Sequence, residues 1–472
     1  MTPSDTVAAV DLGATSGRVI VGRVGADVLE TRQVARFSND PVHLADGLHW
    51  NLLALYGAAS RGLREAFRAD PAIRSIGIDS WAVDYGLLRG GRLLGEPFHY
   101  RDERTARGVA TVHRLVSHTD LFSRNGLQFL PFNTLYQLAA EPADILAFAD
   151  TALLIPDLVG YWLTGMARAE RTNASTTGLL RALDGAWDES LLAELALPSG
   201  ILPPLVTAGE TLGELRPEVA VALGAARGTP VTAVGSHDTA SAVVAVPMRA
   251  DAAAYISCGT WGLVGVEIEQ PVLTDEALAA NFTNEEGVDG RVRLLHNVMG
   301  LWILSETARH WERGGDVVDL PSLLDAAEDL AHPVPVFDVD DPRFLPPGDM
   351  PGRIAAWCDE NDVEPPRTPA EFVRSIIESL AQAFADAVHL AGRLGGVDVR
   401  TIHMVGGGAL NELLCRRTAD RAGLPVLAGP VEATAIGNIL IQARAVGLVT
   451  GSLEALRDLV ARTHRPRRHD PR

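Results

Sequence analysis

Four consecutive residues, Ser236-His237-Asp238-Thr239, stand ahead of an apolar run over 240–246. A carboxylate held there could accept a proton from a hydroxyl attacking a phosphoryl group, with His237 bonding a substrate hydroxyl. The same residues suit a helix start, where Ser and Asp cap the first turn and acids complement the dipole. A second candidate is Asp11-Leu12-Gly13-Ala14-Thr15-Ser16-Gly17-Arg18. Its glycines admit close approach, consecutive N–H groups can cradle an anion, and Thr15 and Ser16 add donors. Asp11, at a strand end, could hold Mg²⁺ through water. A plain hairpin turn with a locally bonded aspartate fits the stretch as well.

Two further stretches have related character. Ser257-Cys258-Gly259-Thr260-Trp261-Gly262 repeats the glycine and hydroxyl pattern. Two such loops on facing domains would grip a triphosphate from both sides. Cys258 reads as a small filler, with no local cation to activate it. Residues 401–429 read as strand, Gly406-Gly407-Gly408, helix and strand. The glycines would let a flat ring or ribose lie on the backbone, before a helix N-terminus that favours anions. A dinucleotide-binding turn would need Gly or Ala where Asn411 stands.

Composition narrows the chemistry. All 41 basic residues are arginine. A P-loop lysine, a protein-kinase strand lysine and a pyridoxal Schiff base are therefore excluded. The net charge of −19 is spread along the chain, which argues against binding nucleic acid through its phosphates. Three separated cysteines make no disulfide framework or C-x-x-C metal pair. The start shows no secretion signal and no stretch has the length of a membrane span. The expected location is cytoplasmic, and no obligate protein partner is evident.

The elements that must position these residues follow from periodicity. Residues 8–24 alternate as a hairpin, and 252–268 repeat its outline, which suggests two related domains. Residues 75–97 read as a strand, a loop and a hairpin turning at Gly90-Gly91. Helical spacing covers 50–68 and 368–396, the second closed by Gly395. A chain of 472 residues with strands among long helices predicts a two-domain α/β protein. The expected domains are 1–249 and 250–462, followed by a frayed basic tail at 463–472.

Together these stretches resemble the FGGY carbohydrate kinases of the actin, sugar-kinase and heat-shock ATPase superfamily, nearly end to end. The resemblance rests on "DLGATSGRV", "GIDSWAVDYGLL", "YRDERT", "GLQFLPFNTLYQL", "SHDTASAV", "NVMGLW" and "GPVEATAIGNI". It implies two ribonuclease H-like (actin-like ATPase) domains flanking a catalytic cleft, with paired hairpin loops and Mg²⁺ replacing the P-loop lysine. Carried over by position, Gly13, Ala14, Thr15, Ser16, Gly17, Arg18 and Thr260 would meet the phosphates of ATP. Gly407 would sit by the adenosine, and Asn297 and Ser305 fall at nucleotide-associated positions. Asp238 would be the general base, with Asp11 and Asp238 near Mg²⁺. The sugar would meet His237, Asp238, Thr239 and the backbone at Ala82.

The branch these stretches resemble implies phosphorylation of L-rhamnulose at its 1-hydroxyl. Ala82 stands where the family pattern has glycine, so its methyl would crowd the sugar. Ser305 stands where a longer glutamine is expected. Trp81, Phe129 and Phe132 are candidates for an apolar wall around the sugar methyl, and equally for plain core. L-Fuculose, L-xylulose and L-ribulose remain alternative substrates. An actin-like interaction ATPase is the alternative of a different class.

Overall fold

The computed structural model describes residues 5–472. Thr6–Leu12 pairs antiparallel with Ser16–Gly25, which in turn pairs with Val28–Ser38. On its other side Thr6–Leu12 runs parallel to Ile76–Ser80, followed by Pro230–Thr232 in parallel and Thr211–Glu214 antiparallel. Thr6–Leu12 and Ile76–Ser80 are buried throughout. Strands covered on both faces lose the polar alternation of a half-exposed strand.

The second sheet repeats the plan. Ala253–Cys258 pairs antiparallel with Trp261–Ile268 and parallel with Thr401–Val405. Val426–Ala428 follows in parallel and Arg467–His469 closes that edge antiparallel. Beyond Trp261–Ile268 lie Val292–Met299 and Thr283–Glu286. A hairpin, two parallel neighbours and an antiparallel edge strand thus recur in the same order in both sheets. This is the structural counterpart of the likeness between 8–24 and 252–268.

The last residues correct an expectation. The tail 463–472 does not fray: Arg467–His469 pairs residue by residue with Val426–Ala428, and His469 is buried. Its prolines and arginines carry no strand pattern, but an edge strand needs a backbone partner on one side only.

Contacts divide the chain into two compact units. One holds residues 5–247, Glu267–Leu294 and Ala433–His464; the other holds Met248–Val266, Leu295–Glu432 and Arg465–Arg472. The chain first changes unit between Pro247 and Met248 and then returns twice, so two segments of its second half belong to the first unit.

The helices follow their end signals. Leu52–Ala69 starts where the Asn51 side chain accepts from the Ala54 amide. Pro369–Gly395 begins with a reciprocal capping box between Thr368 and Glu371. It ends at Gly396, whose φ of 66° is left-handed, one residue beyond the glycine expected to close it. Gly90 and Gly91 turn the hairpin of Tyr85–Arg89 and Arg92–Leu93 with φ of 54° and 75°. Among the described residues no helix is long and apolar enough to cross a membrane.

Candidate active site

In the first unit the sheet register gathers the acids. Asp11 pairs with Asp79 across the parallel strands Thr6–Leu12 and Ile76–Ser80. One residue beyond Asp79, Ser80 bridges to His237, and its amide donates to the Ser236 carbonyl at 2.9 Å. Asp79 therefore lies within the fields of both Asp11 and Asp238. Burial first, then Asp11, drives its carboxyl well above the usual range, with Asp238 adding to the rise. Asn438 opposes this by donating to Asp79 Oδ2 at 2.5 Å, while Asp79 Oδ1 is buried without a hydrogen-bond partner among the described residues. Asp11 faces Arg18 Nε at 3.1 Å across the hairpin.

Asn438 arrives on the helix Ala433–Ala445 because two glycines let that helix close in. A Cβ at Gly437 would stand 1.8 Å from the Ser241 carbonyl oxygen, and one at Gly77 would stand 2.4 Å from Asn438 Oδ1. Gln442, one turn further on, donates to Asn438 Oδ1 at 2.6 Å and to the Ala8 carbonyl at 3.0 Å. The amide of Asn438 is thereby oriented toward Asp79.

Asp238 opens the helix Asp238–Val244, but neither it nor Ser236 caps that helix: the cap position is His237, with no side-chain cap bond. Ser236 is held from outside instead. The buried Glu170 accepts from the Ser236 amide at 2.9 Å and its hydroxyl at 3.0 Å, and also from the Thr172 hydroxyl at 2.5 Å. Asp238 keeps 31% side-chain exposure and lies 3.5 Å from His237 Nε2. Desolvation raises its pKa, and His237 is the leading opposing influence. Behind His237 stand the fully buried Arg293 and the buried Glu285, 3.0 Å apart. Arg293 is the main influence opposing desolvation at Glu285, whose pKa is net lowered. Thr239 donates to Asp238 Oδ1 at 3.2 Å.

The Asp11–Arg18 stretch is a tight hairpin turn. The Gly13 amide donates to the Ser16 carbonyl at 3.0 Å, and Asn39 Nδ2 to the Gly13 carbonyl at 2.9 Å. Ala14 and Ser16 are half-buried and Thr15 is exposed. Gly17 serves packing, since a Cβ there would stand 2.2 Å from the Phe37 ring.

The second unit holds the other candidates. The Gly259 amide donates to the Trp261 carbonyl at 2.8 Å, and the Trp302 amide to the Thr260 carbonyl at 3.2 Å. Gly262 packs on Phe384 as Gly17 does on Phe37, with a Cβ placed at 2.5 Å. Cys258 is a buried filler: Cβ atoms at Gly406 and Gly408 would stand 2.8 Å from its carbonyl and 2.4 Å from its Sγ. The exposed Gly407 follows Gly406, whose φ is 80°. Asn411 caps the next helix by accepting from the Leu414 amide at 3.0 Å. Ser305 is exposed on the helix Trp302–Arg313, and Asn297 is half-buried on the strand Val292–Met299.

At Ala82 the backbone is not in the left-handed region; the positive φ, 69°, falls on Val83. Trp81 and Phe132 belong to one aromatic group, in which Trp50 lies 4.1 Å from Trp81 and Tyr100 lies 5.3 Å from Phe132 between ring centroids. Phe129 packs elsewhere, against His113, His118 and Tyr136. The supporting residues Asp79, Glu170, Glu285, Arg293 and Asn438 were not legible as site residues, because each reaches the site from a distant part of the sequence.

A repeated sheet plan and acids at the ends of parallel strands suit a phosphotransferase of the actin-like class. The chain matches the FGGY family of carbohydrate kinases, N-terminal domain, over residues 6–245 and the C-terminal domain over 254–446. It belongs to that family and is a carbohydrate kinase. A rhamnulokinase of Pectobacterium carotovorum subsp. carotovorum is 41% identical over 472 residues, spanning 99% of this chain and 93% of the relative. Among solved structures, a gluconate kinase from Lactobacillus acidophilus superposes with a TM-score of 0.78 at 16% identity, covering 99% of this chain and 94% of that one. A xylulose kinase from Rhodospirillum rubrum gives 0.77 at 19% identity, with coverage of 99% and 94%. The chain shares the fold of these sugar kinases.

Proposed function

We propose that this chain transfers the γ-phosphoryl group of ATP to the 1-hydroxyl of L-rhamnulose, with Asp238 as general base. The observation that carries the reading is the 41% identity to a rhamnulokinase across 99% of the chain. Asp238 takes the proton of the attacking hydroxyl as the new O–P bond forms. The bond from the γ-phosphorus to the bridging oxygen breaks, and ADP leaves. Its raised pKa strengthens it as a base. His237 and Thr239 engage sugar hydroxyls beside it, and the Ala82 backbone meets the sugar.

Gly13, Ala14, Thr15, Ser16, Gly17 and Arg18 of the first unit face the phosphates in this reading. Thr260, Asn297, Ser305 and Gly407 of the second unit serve the nucleotide. Mg²⁺ suits the acids present: the mutual repulsion felt by Asp79 and its unpartnered Oδ1 mark a place where positive charge is welcome. Asp11 and Asp238 would hold it through water, and when bound it supplies neutralisation of phosphate charge.

The test is ADP release by purified protein with MgATP against L-rhamnulose, L-fuculose, D-xylulose, L-ribulose and glycerol. Preference for L-rhamnulose is expected. Preference for another ketose would overturn the substrate while leaving the family untouched. Loss of all sugar dependence with ATP still bound would return the chain to the interaction ATPases.

A further inference from the structure

The stretch 128–138 resembles a branch-specific motif, and neither helix nor strand spacing explains it. In the structure Thr134 and Gln137 of this stretch bond to a strained turn at Val83. The Asp84 amide donates to the Ala82 carbonyl at 2.9 Å, closing a three-residue turn around Val83 at φ 69°. A β-branched residue at positive φ is an outlier, and a turn of this hand is strained. Something must hold it.

Three side chains do. Thr134 Oγ1 donates to the Val83 carbonyl at 2.7 Å. Gln137 Nε2 donates to Asp84 Oδ1 at 2.7 Å and is itself fixed to the Phe132 carbonyl at 3.0 Å. Asp84 Oδ2 accepts from the indoles of Trp50 and Trp81, at 2.6 and 3.0 Å, and from the Tyr100 amide at 3.2 Å. Thr134, Gln137 and Asp84 are all buried. The turn begins two residues after Ser80, which bridges His237. It therefore extends directly from the backbone that sets the candidate base.

We infer that Thr134 is a positioning residue: together with Asp84 and Gln137 it clamps the Val83 turn and so fixes where the Ala82 backbone meets the sugar. This rests on the reading that Ala82 lies against the substrate. The motif then acts on the sugar through the turn, and Thr134 makes no sugar contact of its own.

The variants are Thr134→Val, which keeps shape but removes the hydroxyl, Thr134→Ser, which keeps the hydroxyl, and Thr134→Val combined with Val83→Gly. Glycine adopts positive φ without strain, so in the double variant the turn forms without needing its clamp. Hydrogen exchange at the Asp84 amide reads the turn with no substrate present. Thr134→Val should speed that exchange about tenfold and raise the KM for the sugar about tenfold, the size of one lost buried hydrogen bond. The KM for ATP should stay unchanged. Thr134→Ser should behave as wild type, and the double variant should recover most of the sugar KM. Unchanged exchange in Thr134→Val overturns the clamp. Faster exchange with an unchanged sugar KM, or a double variant that recovers nothing, overturns the positioning role. If the wild type prefers another ketose, the substrate reading fails and the same variants are compared on that ketose. No sugar-dependent ADP release from the wild type overturns both.

Discussion

Arg293 Nη2 lies 3.2 Å from Nδ1 of His237. The imidazole's other nitrogen, Nε2, faces Asp238 at 3.5 Å. A Glu285 oxygen is also 3.2 Å from Nδ1 and lies 3.0 Å from Arg293 Nη2. Its part is to balance the charge of Arg293. The pair thus holds the His237 ring through Nδ1, with Nε2 turned toward the base.

Breaking this pair should be costly and repairing it should not. Arg293→Met leaves Glu285 charged and buried alone, which should cost about 3–5 kcal/mol in denaturant unfolding. Adding Glu285→Gln removes the orphaned charge and should return most of that stability. Activity should stay low in the double variant, because the His237 ring has lost the charged pair that holds it. A double variant no more stable than the single one would contradict the charge-balancing role.

Asp238→Asn removes the proton acceptor without removing a cap, since the helix Asp238–Val244 has no side-chain cap bond. ADP release should fall by roughly 10²–10⁴-fold, the span of general-base catalysis. ATP affinity by calorimetry and the unfolding midpoint should stay near wild type. A collapse in stability would mean that the residue serves the helix.

The parts of the fold and of the candidate site that were legible are those encoded locally. The Asp11–Arg18 hairpin, the stretch 236–239 and the capped helix Pro369–Gly395 each carry their signal within a few residues. Asp79 and Glu285 do not. Asp79 becomes a site residue only through its register opposite Asp11, and Glu285 only through pairing with Arg293 beneath His237. Asn438 depends on glycines at 77 and 437 that admit its helix. Such contacts join distant segments, and no periodicity along the sequence marks them. The edge strand at 467–469 was missed for a related reason, because its partner supplies the order.

The Mg²⁺ assignment makes its own prediction. Chelation with EDTA should stop sugar-dependent ADP release, and added Mg²⁺ should restore it. Asp11→Asn should raise the Mg²⁺ concentration needed for half-maximal rate by about tenfold, equivalent to ~1.4 kcal/mol. Because Asp11 also faces Arg18, an unfolding midpoint is measured alongside. An unaltered Mg²⁺ requirement in a folded variant would remove Asp11 from the ion's surroundings.

Asp84 predicts a pH dependence of stability whose sign can be worked out. Burial raises its carboxyl from 3.8 to about 6, against donors led by Gln137. Between those values the folded chain holds the proton more tightly than the unfolded chain, so the stability from this group is greatest at low pH. It declines as pH rises from about 4 to about 6 and is level above, a span worth about 3 kcal/mol. Nearby His99 has the opposite tendency: burial lowers its pKa to about 3, so its contribution improves as pH rises toward 6.5. The two offset one another in the wild type and are separated by Asp84→Asn, which retains His99. The stability of the wild type minus that of Asp84→Asn, from urea unfolding at pH 4, 5, 6 and 7, should fall through this window and then flatten. A difference that rises with pH would show that the donors around Asp84 outweigh its burial.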